Sequence, residues 1–366
     1  MKSTIWYCLR MSRWKPPGLA SDDQRRADLY RAAMHQFEEL MDAAASIGPA
    51  GSPLPLFYAV SQAGRAILAV REPEDETVIA EREHHGLTVP RDTVGDDLMA
   101  AWVRPMSKEI GQFQRVAAAT GSPTVGRAVE LGALLASLPE TGDELWNDDS
   151  WPMAVGLQPL MDLAAPARIG DLTNVQDWSL FTSGVLRVAL VADKVNSAED
   201  LATFVSRYPS LATRNARLPL LLPAQQRGRV EWWTPYGKAI EAHLSVPLGS
   251  TRPVEDHAAV LDEIAPEYRW QGRRWVRPAI EGVSPPPSPL MTWWAILFAL
   301  SMLARYHPAA WTHALDENSS PVAVLLERSL DLALSAVPHL VFEAVGLSGE
   351  GPLLLPPDSS TPPVSQ

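Results

Sequence analysis

The chain has 366 residues, of which 46% are hydrophobic and 20% are charged, and its formal net charge is −12. This is the composition of a globular protein with an ample core, and the length suffices for two compact units or for one domain with a large insertion. The acidic balance excludes the chain-wide positive charge that is typical of nucleic-acid-binding proteins, although a local basic patch is compatible with it.

Cys8 is the only cysteine, so the chain can form neither an internal disulfide nor a cysteine-based zinc site. A reducing compartment follows, and we expect a cytoplasmic protein with no membrane association, because no uninterrupted apolar stretch is long enough for a span. We expect no cofactor, since the chain has neither a phosphate-cradling glycine loop nor a GxSxG motif. We also expect no metal, because His84-His85 lacks a further ligand at zinc-site spacing.

Two helices are predicted in the N-terminal region. Residues 21–23 (SDD) provide an N-cap for a helix from about Gln24 to Ser46, and a second helix runs from about Leu56 to Arg71. Gly64 lies inside the second helix, where glycine costs about 1 kcal/mol, and this indicates that another helix approaches closely. Arg65 lies near the same seam, where it either reaches solvent, pairs with a carboxylate or lines a site. Three aromatic residues near the start are expected to anchor it to the body of the protein: Trp6, Tyr7 and Trp14.

From Glu72 the helical periodicity weakens, and short apolar pieces alternate with glycine and proline. This pattern predicts a mixed α/β region. Its strand candidates are Val185 to Val191 and Arg229 to Thr234, and its helix candidates are Val129 to Leu138 and Ala198 to Arg207.

A segment rich in arginine and tryptophan follows, with a Gln271-Gly272 turn between aromatic flanks that predicts a hairpin. Basic residues interleaved with aromatic ones can neutralise and stack on single-stranded nucleic acid. They are equally typical of an amphipathic hairpin whose tryptophans face the core, which is the interpretation we favour. The candidate nucleic-acid-binding residues are Arg65, Arg269, Trp270, Arg273, Arg274, Trp275 and Arg277.

The most hydrophobic run lies between Pro289 and His313. It is too short for a membrane span and lacks strand-like alternation, so it predicts a buried helix. Pro308 disfavours helical geometry at the residue before it, so the helix should end near Tyr306, and Pro308 can open a second short helix. The end of the run is either an ordinary helix cap or a site, and the candidate catalytic residues are Arg305, His307 and His313.

An amphipathic helix is predicted from Pro321 to Val345, with a kink or break at Pro338. The proline-rich tail, residues 348–366, is predicted to be disordered.

Several motifs in this order resemble the YaaC-like family of bacterial proteins: LFYAVSQAGRAILAV at 56–70, the His85-Gly86 turn, the element from Gly132 to Glu140, and LSMLARY at 300–306 followed by Trp311. The resemblance spans roughly residues 55–345. It implies an architecture more readily than an activity, since that family is largely uncharacterised.

The helix at 56–71 also resembles the second helix of HEPN domains, which are helical bundles found in RNases, toxins and antiviral systems. That resemblance implies metal-independent RNA cleavage, in which a histidine acts as acid or base and an arginine stabilises charge on the phosphorane. HEPN enzymes pair the two residues four to six positions apart. Here the Arg305–His307 and Arg305–His313 spacings both depart from that pattern.

We therefore predict a predominantly helical α+β fold with a HEPN-like bundle. Residues 1–71 and 286–347 build the bundle, residues 72–285 form a mixed α/β insertion, and the helices at 56–71 and 290–305 make the central contact. The expected function is that of a non-catalytic interaction or scaffold protein in a bacterial defence or stress system. It would form homo-oligomers or bind a protein partner through the bundle, and RNA or single-stranded nucleic acid is a further candidate partner. The alternative is a metal-independent ribonuclease that uses Arg305 with His307 or His313.

Overall fold

The computed structural model describes residues 4–73, 84–95, 97–106, 110–141, 151–159, 185–191, 203, 206–212, 230–234, 237–247, 268–270, 273–280 and 285–347. Three sequence predictions fall wholly or mostly outside these residues: the disordered tail, the Gln271-Gly272 turn and the helix from Ala198 to Arg207.

The helices that form the larger part of the described chain are α1 (Thr4–Trp14), α2 (Gln24–Ala45), α3 (Pro53–Arg71), α4 (Gln112–Thr120), α5 (Leu131–Ala136), α6 (Pro209–Ala212), α7 (Pro289–Tyr306), α8 (Pro308–Ala314) and α9 (Ala323–Ala344). The strands are β1 (Leu87–Thr88), β2 (Trp102–Pro105), β3 (Val129–Glu130), β4 (Val155–Pro159), β5 (Val185–Val191), β6 (Val230–Thr234), β7 (Gly237–Pro247), β8 (Arg269–Trp270) and β9 (Arg273–Val276). A three-stranded sheet has the order β1-β2-β3, and a six-stranded sheet has the order β6-β7-β5-β4-β9-β8. The pairs described in both sheets are antiparallel. The predicted, predominantly helical α+β class is confirmed.

Local signals explain where the main helices begin. The Asp23 carboxylate accepts hydrogen bonds from the backbone N–H groups of Arg25 (2.8 Å) and Arg26 (3.2 Å), so α2 starts at the predicted cap. Helix α3 begins at Pro53, slightly earlier than predicted, because proline is tolerated in a first helical turn. For the same reason α8 opens at Pro308, directly after α7 ends at Tyr306, as predicted.

Helix α7 is the centre of the molecule. Its residues from Pro289 to Ser301 are all buried, as is Leu303. A helix that is apolar on every side must be surrounded by other elements, and helices α3, α5, α8 and α9 pack against it. The predicted buried helix is confirmed. No helix within the described residues has the length and apolar character needed to cross a membrane.

The contact between α3 and α7 is a close approach at a glycine. A Cβ atom placed on Gly64 would lie only 2.3 Å from Cη2 of Trp294, so a larger residue would collide with the indole ring. One end of the contact is formed by Phe57 and Phe298, whose ring centroids are 5.3 Å apart in an edge-to-face arrangement. The close approach predicted from Gly64 is confirmed.

The buried core is one continuous cluster. It includes residues of α2, α3, α7 and α9, and it also includes side chains between Leu87 and Leu138 together with Tyr268 and Ile280. Part of the region predicted as an insertion therefore shares its core with the terminal helices. The boundaries at 71/72 and 285/286 stay predictions.

Two local predictions were wrong, and one of the two alternatives predicted for Pro338 is excluded. Tyr7 and Trp14 do not anchor α1, because their side chains are 66% and 85% exposed, whereas Trp6 does pack on Phe37 at 5.3 Å between ring centroids. Helix α9 does not break at Pro338, which is buried inside it, and the alternative expectation of a kink at this residue stays a prediction. Val129 and Glu130 pair with β2 instead of starting a helix, which begins at Leu131.

Candidate functional site

The predicted site residue Arg305 lies in the last turn of α7 and is exposed to solvent. Its Nη2 donates a hydrogen bond to the hydroxyl of Tyr58 at 3.0 Å, and its Nη1 donates to the hydroxyl of Tyr306 at 3.1 Å. The guanidinium carbon also lies 5.2 Å from the centroid of the Tyr306 ring. No carboxylate among the described residues forms an ion pair with Arg305. Two neutral hydroxyls therefore position the guanidinium without neutralising its charge.

His85 lies beside this arginine. Its ring contacts an aromatic wall made by Phe57, Tyr58 and Phe298, with ring centroids 4.8, 6.4 and 6.2 Å away, respectively. Burial lowers the pKa of His85 below its ordinary value of 6.5, and the nearby positive charge of Arg305 lowers it further. The imidazole is therefore neutral at neutral pH.

The backbone around His85 is held against the N-terminus of α4. The carbonyl of His84 accepts a hydrogen bond from the N–H of Gln112 at 3.0 Å, and the carbonyl of His85 accepts one from Phe113 at 3.3 Å. Because the first N–H groups of a helix have no partner within it, these carbonyls satisfy two of them. The turn therefore has a fixed position relative to α4.

Gly86 gives this turn its shape. Its φ of 80° is in the left-handed region that favours glycine, and an added Cβ atom would lie 2.0 Å from Oε1 of Gln114. The same glutamine donates from Nε2 to the carbonyl of Gly86 at 2.8 Å. Helix α4 is joined in turn to α3, because Gln112 donates from Nε2 to the carbonyl of Ser61 at 2.6 Å and accepts from the Ser61 hydroxyl at 2.7 Å. This chain of contacts places His85 beside the surface of α3.

Arg65 belongs to the same region. It follows Tyr58 by seven residues, about two turns of α3, so both side chains lie on one face of the helix. Its positive charge contributes to the lowered pKa of His85. The fold thus brings Arg65 and Arg305, both predicted from the sequence, close to one imidazole.

The two histidines predicted as partners of Arg305 are not joined to it. His307 forms the junction between α7 and α8, and its backbone N–H donates to the carbonyl of Leu303. His313 is exposed, and its Nδ1 lies 3.4 Å from the hydroxyl of Ser319. Within the part of the chain that the structure describes, no hydrogen bond, ion pair or ring contact connects either histidine to Arg305.

The arginine- and tryptophan-rich segment forms the predicted hairpin, because Trp270 pairs with Arg273 and Arg269 with Arg274. Both tryptophans are half-buried: Trp275 donates from Nε1 to the carbonyl of Trp270 at 3.1 Å, and Trp270 stacks on Tyr268 with ring centroids 6.4 Å apart. The side chains of Arg269, Arg273 and Arg274 are outside the described residues, so their role in binding stays a prediction.

Arg277, by contrast, is inside the protein, with 2% of its surface exposed. Its guanidinium donates to the Ser137 carbonyl at 2.9 Å and to the Thr292 hydroxyl at 2.7 Å, and it also bonds to the carbonyl of Pro287. These bonds connect α5 to the first turn of α7. Arg277 therefore stabilises the core and offers no group to a nucleic acid at the surface, contrary to its place among the predicted binding residues.

The sequence predicts Arg65 and Arg305 as site residues, but it does not predict three residues that lie beside them in the structure: Tyr58, His85 and Tyr306. For His85, the sequence raised only the question of a metal ligand. The seven-residue spacing between Tyr58 and Arg65 was a signal that both share one helix face. By contrast, no local pattern could have linked His85 to Arg305.

We call Arg305, Arg65, His85, Tyr58 and Tyr306 the Arg305 cluster. A fixed guanidinium beside phenol hydroxyls can bind an anionic oxygen through charge-assisted hydrogen bonds. A neutral imidazole nearby can accept a proton. Within the described residues, no group of three or more histidine, cysteine or acidic side chains could hold a metal ion. The chemistry available from the described side chains is therefore anion binding, with proton transfer as an additional capability.

Comparison with known proteins gives one match. The sequence model of the family described as YaaC-like protein matches residues 9–345, which is most of the chain. No curated protein and no solved structure matches the chain. The family predicted from the motifs is confirmed, and the HEPN-like resemblance has no support from these comparisons.

Proposed function

We propose a function for this chain, which belongs to the YaaC-like family. It is a non-catalytic interaction protein, and its bundle surface binds the phosphate of a nucleotide at the Arg305 cluster. The proposal extends to the expectations from the sequence: a cytoplasmic protein of a bacterial defence or stress system, with single-stranded RNA as the source of the phosphate. Self-association through the bundle is a separate part of it, and a monomer at micromolar concentration in sedimentation equilibrium would contradict that part.

The observation that carries the proposal is the state of Arg305. The guanidinium is exposed and is oriented by the hydroxyls of Tyr58 and Tyr306, with no carboxylate of the described residues paired to it. Two arginines that do stabilise the fold are buried: Arg115 pairs with Glu72, and Arg277 bonds to the Ser137 carbonyl. A positioned and uncompensated guanidinium is instead suited to a phosphate, which it can contact through two parallel hydrogen bonds.

The neighbouring aromatic rings favour a nucleotide over a free anion. Tyr58 and Tyr306 are 37% and 46% exposed, so each offers part of a ring face or edge to a ligand. Exposed aromatic rings beside cationic side chains are the usual surface for unpaired bases, and stacking contributes about 1–3 kcal/mol per base. The net charge of −12 opposes long nucleic-acid contacts, so we expect a short, local site.

Binding of a fluorescently labelled single-stranded RNA, followed by anisotropy, tests the proposal. Arg305→Gln should weaken binding by about tenfold or more, because a hydrogen bond to a charged group contributes roughly 1.5–3 kcal/mol. Arg91→Gln is the matched control, since it removes one exposed positive charge from another part of the surface. Equal losses in both variants, or no binding by the wild-type protein, would contradict the proposal. Competition by a mononucleotide would identify free nucleotides as a second source of the phosphate.

A metal-independent ribonuclease remains the second candidate, and one specific observation favours it. His85 is neutral and lies close to Arg305, so it could accept the proton of an RNA 2′-hydroxyl as that oxygen bonds to phosphorus. The proton would then pass to the 5′-oxygen as its bond to phosphorus breaks, while Arg305 stabilised the negative charge on the phosphorane oxygens. This version keeps Arg305 in the role expected from the sequence and adds His85 as a candidate beside His307 and His313.

The two functions are separated by incubating the protein with RNA in the presence of EDTA. For the ribonuclease, His85→Ala and Arg305→Gln should each slow cleavage by about a hundredfold or more, because general acid–base groups contribute roughly 10²–10⁴. His307→Ala and His313→Ala show whether the two histidines predicted from the sequence take part in cleavage. RNA that is bound but stays intact supports the non-catalytic function instead.

A further inference from the structure

A small cavity lies between the end of α2, the loop that leads into α3, and the middle of α9. Its volume is about 60 Å³, which is room for more than one water-sized group. Ile47, Leu330 and Leu334 form apolar parts of its wall. The cavity is thus suited to a short aliphatic group more than to a hydrated ion.

Two carboxylates line the same cavity. Glu327 and Asp331 are four residues apart on α9, so they lie on one face of the helix, and both are exposed. Neither forms a hydrogen bond or an ion pair with another described residue. Their negative charges are therefore available to a cationic group that enters the cavity.

A buried hydroxyl and the C-terminus of α2 add hydrogen-bonding capacity and partial negative charge to the cavity. Ser52 lines the cavity with 4% of its surface exposed, and its hydroxyl is buried without a hydrogen-bond partner in the described part of the chain. A buried hydroxyl that lacks a partner is costly, which indicates that something else satisfies it. Ala44 and Ala45, the last residues of α2, also line the cavity, and the C-terminus of a helix carries partial negative charge.

We propose that this cavity binds a primary alkylammonium group, such as the side chain of a lysine on a partner protein. The aliphatic stem would contact the leucine and isoleucine side chains, and the ammonium would donate hydrogen bonds to Glu327, Asp331 and Ser52. An ammonium carries three donors, which matches three acceptors of this kind. The proposal does not depend on the Arg305 cluster and goes beyond its function.

An alkylammonium fits better than a divalent metal ion. Calcium takes six to eight oxygen ligands, and magnesium requires a near-octahedral set of ligands and gives up its water reluctantly. The cavity instead combines apolar walls with two carboxylates and one hydroxyl. This arrangement corresponds to a cation that carries an aliphatic chain.

Calorimetric titration of the full chain with n-butylammonium and with n-butanol tests the proposal. The two probes have the same aliphatic chain and differ in charge. We expect n-butylammonium to bind at least tenfold more tightly, since one charge-assisted contact corresponds to about 1.4 kcal/mol or more. Equal binding of both probes, or no heat from the ammonium at millimolar concentrations, would overturn the proposal. So would complete displacement of the ammonium by equimolar calcium, which would identify a metal site.

Variants locate the binding within the protein. Glu327→Gln and Asp331→Asn should each weaken n-butylammonium binding by about fivefold to tenfold, and Ser52→Ala should weaken it by a smaller factor. Glu317→Gln is the matched control, because it removes an exposed carboxylate elsewhere with the same change of charge. The replaced carboxylates are exposed, so these variants should retain the unfolding midpoint of the wild type. An equal effect of Glu317→Gln and Glu327→Gln would overturn the proposal.

A short peptide with one lysine, and the same peptide with that lysine acetylated, separate the two sources of the group. Tighter binding of the peptide than of n-butylammonium, lost on acetylation, supports a lysine of a partner protein. Equal binding of peptide and free amine supports a free alkylamine as the ligand. Binding that survives acetylation would overturn the proposal, because acetylation removes the charge.

Discussion

Two of the contacts between helices α3 and α7 differ in chemistry. At Gly64 and Trp294 the contact is buried, apolar and so close that a single added carbon atom would collide with the ring. At Tyr58 and Arg305 the contact is exposed and is made by one hydrogen bond at 3.0 Å. The first contact depends on shape and determines whether the helices can pack. The second contributes little to packing but orients a charged group toward solvent.

Of the variants that test this difference between the two contacts, Gly64→Ala is expected to change the unfolding free energy most. Overpacking a buried contact costs about 1–3 kcal/mol, and alanine returns about 1 kcal/mol through its helix propensity, so a net loss of stability is expected. In a Trp294→Ala background, itself destabilised by roughly 3–5 kcal/mol, the collision with the indole is absent, and the remaining close atom is Nε2 of Gln112 at 3.1 Å. There Gly64→Ala should become neutral or stabilising.

Urea denaturation measures this change of sign, which is a coupling between two residues in contact. Gly48→Ala is a suitable control, since nothing lies within 4 Å of a Cβ atom added at that position. The same loss for Gly64→Ala in both backgrounds would show that the indole of Trp294 is not what excludes a side chain at position 64.

An effect of intermediate size is expected at the buried start of α7, where Glu140 accepts hydrogen bonds from Nε1 of Trp293 (3.1 Å) and from the Tyr268 hydroxyl. Burial raises the pKa of the Glu140 carboxyl above its ordinary value of 4.5, so the folded protein holds this proton more tightly than the unfolded chain does. The stabilisation that comes from this tightly held proton is therefore fully present below about pH 4.5. It is lost as the pH rises through the folded pKa, by up to about 1.4 kcal/mol per pH unit.

Glu140→Gln cannot ionise, so its unfolding free energy should lack this decline. As the pH rises above 4.5, the unfolding free energy of the variant should therefore increase relative to that of the wild type. Denaturation curves at a series of pH values measure the shift. Parallel pH profiles for the two proteins would contradict a raised pKa at Glu140.

The smallest effect on stability is expected at the exposed contact. Tyr58→Phe removes the hydroxyl that accepts from Arg305 while keeping the ring against His85, and it should change the unfolding free energy by no more than about 0.5 kcal/mol. RNA affinity should nevertheless fall several-fold, because Arg305 loses one of the groups that orient it.

Tyr7→Phe is the matched control for this variant, since Tyr7 is 66% exposed on α1. Anisotropy and urea denaturation on the same samples give both quantities. A Tyr58→Phe protein that lost stability but retained full RNA affinity would contradict the prediction. It would show that the contact between Tyr58 and Arg305 stabilises helix packing and does not orient Arg305 for binding.

Much of the helical framework could be predicted because its signals are local. The cap at Asp23, the proline at 308 and the apolar run of α7 each act within a few residues, and α2, α7 and α8 begin or end where those signals indicate. Gly64 was similarly informative, since a glycine inside a helix indicates a close neighbour. The exception is Val129-Glu130, where pairing with β2 outweighed the local preference for a helix. At Pro338 the helix continues, which excludes the predicted break but not a kink.

The candidate site could be predicted only in part. Arg305 and Arg65 were identified from their places on two helices expected to pack together, and the structure does bring both close to His85. His307 and His313 stay predictions as partners of Arg305; the contact that the structure shows for the His313 ring is with the hydroxyl of Ser319. Arg277 belongs to an arginine-rich stretch of sequence, which suggested a position at the surface. Its guanidinium instead bonds to the backbone and side chains of the core.

The sequence by itself determined the family, the helical character and the central place of α7, because hydrophobic periodicity, capping residues and family motifs are all carried by short stretches of chain. Only the tertiary structure decided which charged side chains meet. His85 lies beside Arg305 because a turn bound to the N-terminus of α4 is held against α3, and α3 packs on α7 at Gly64. No single stretch of chain contains these contacts, so no local pattern could have predicted them.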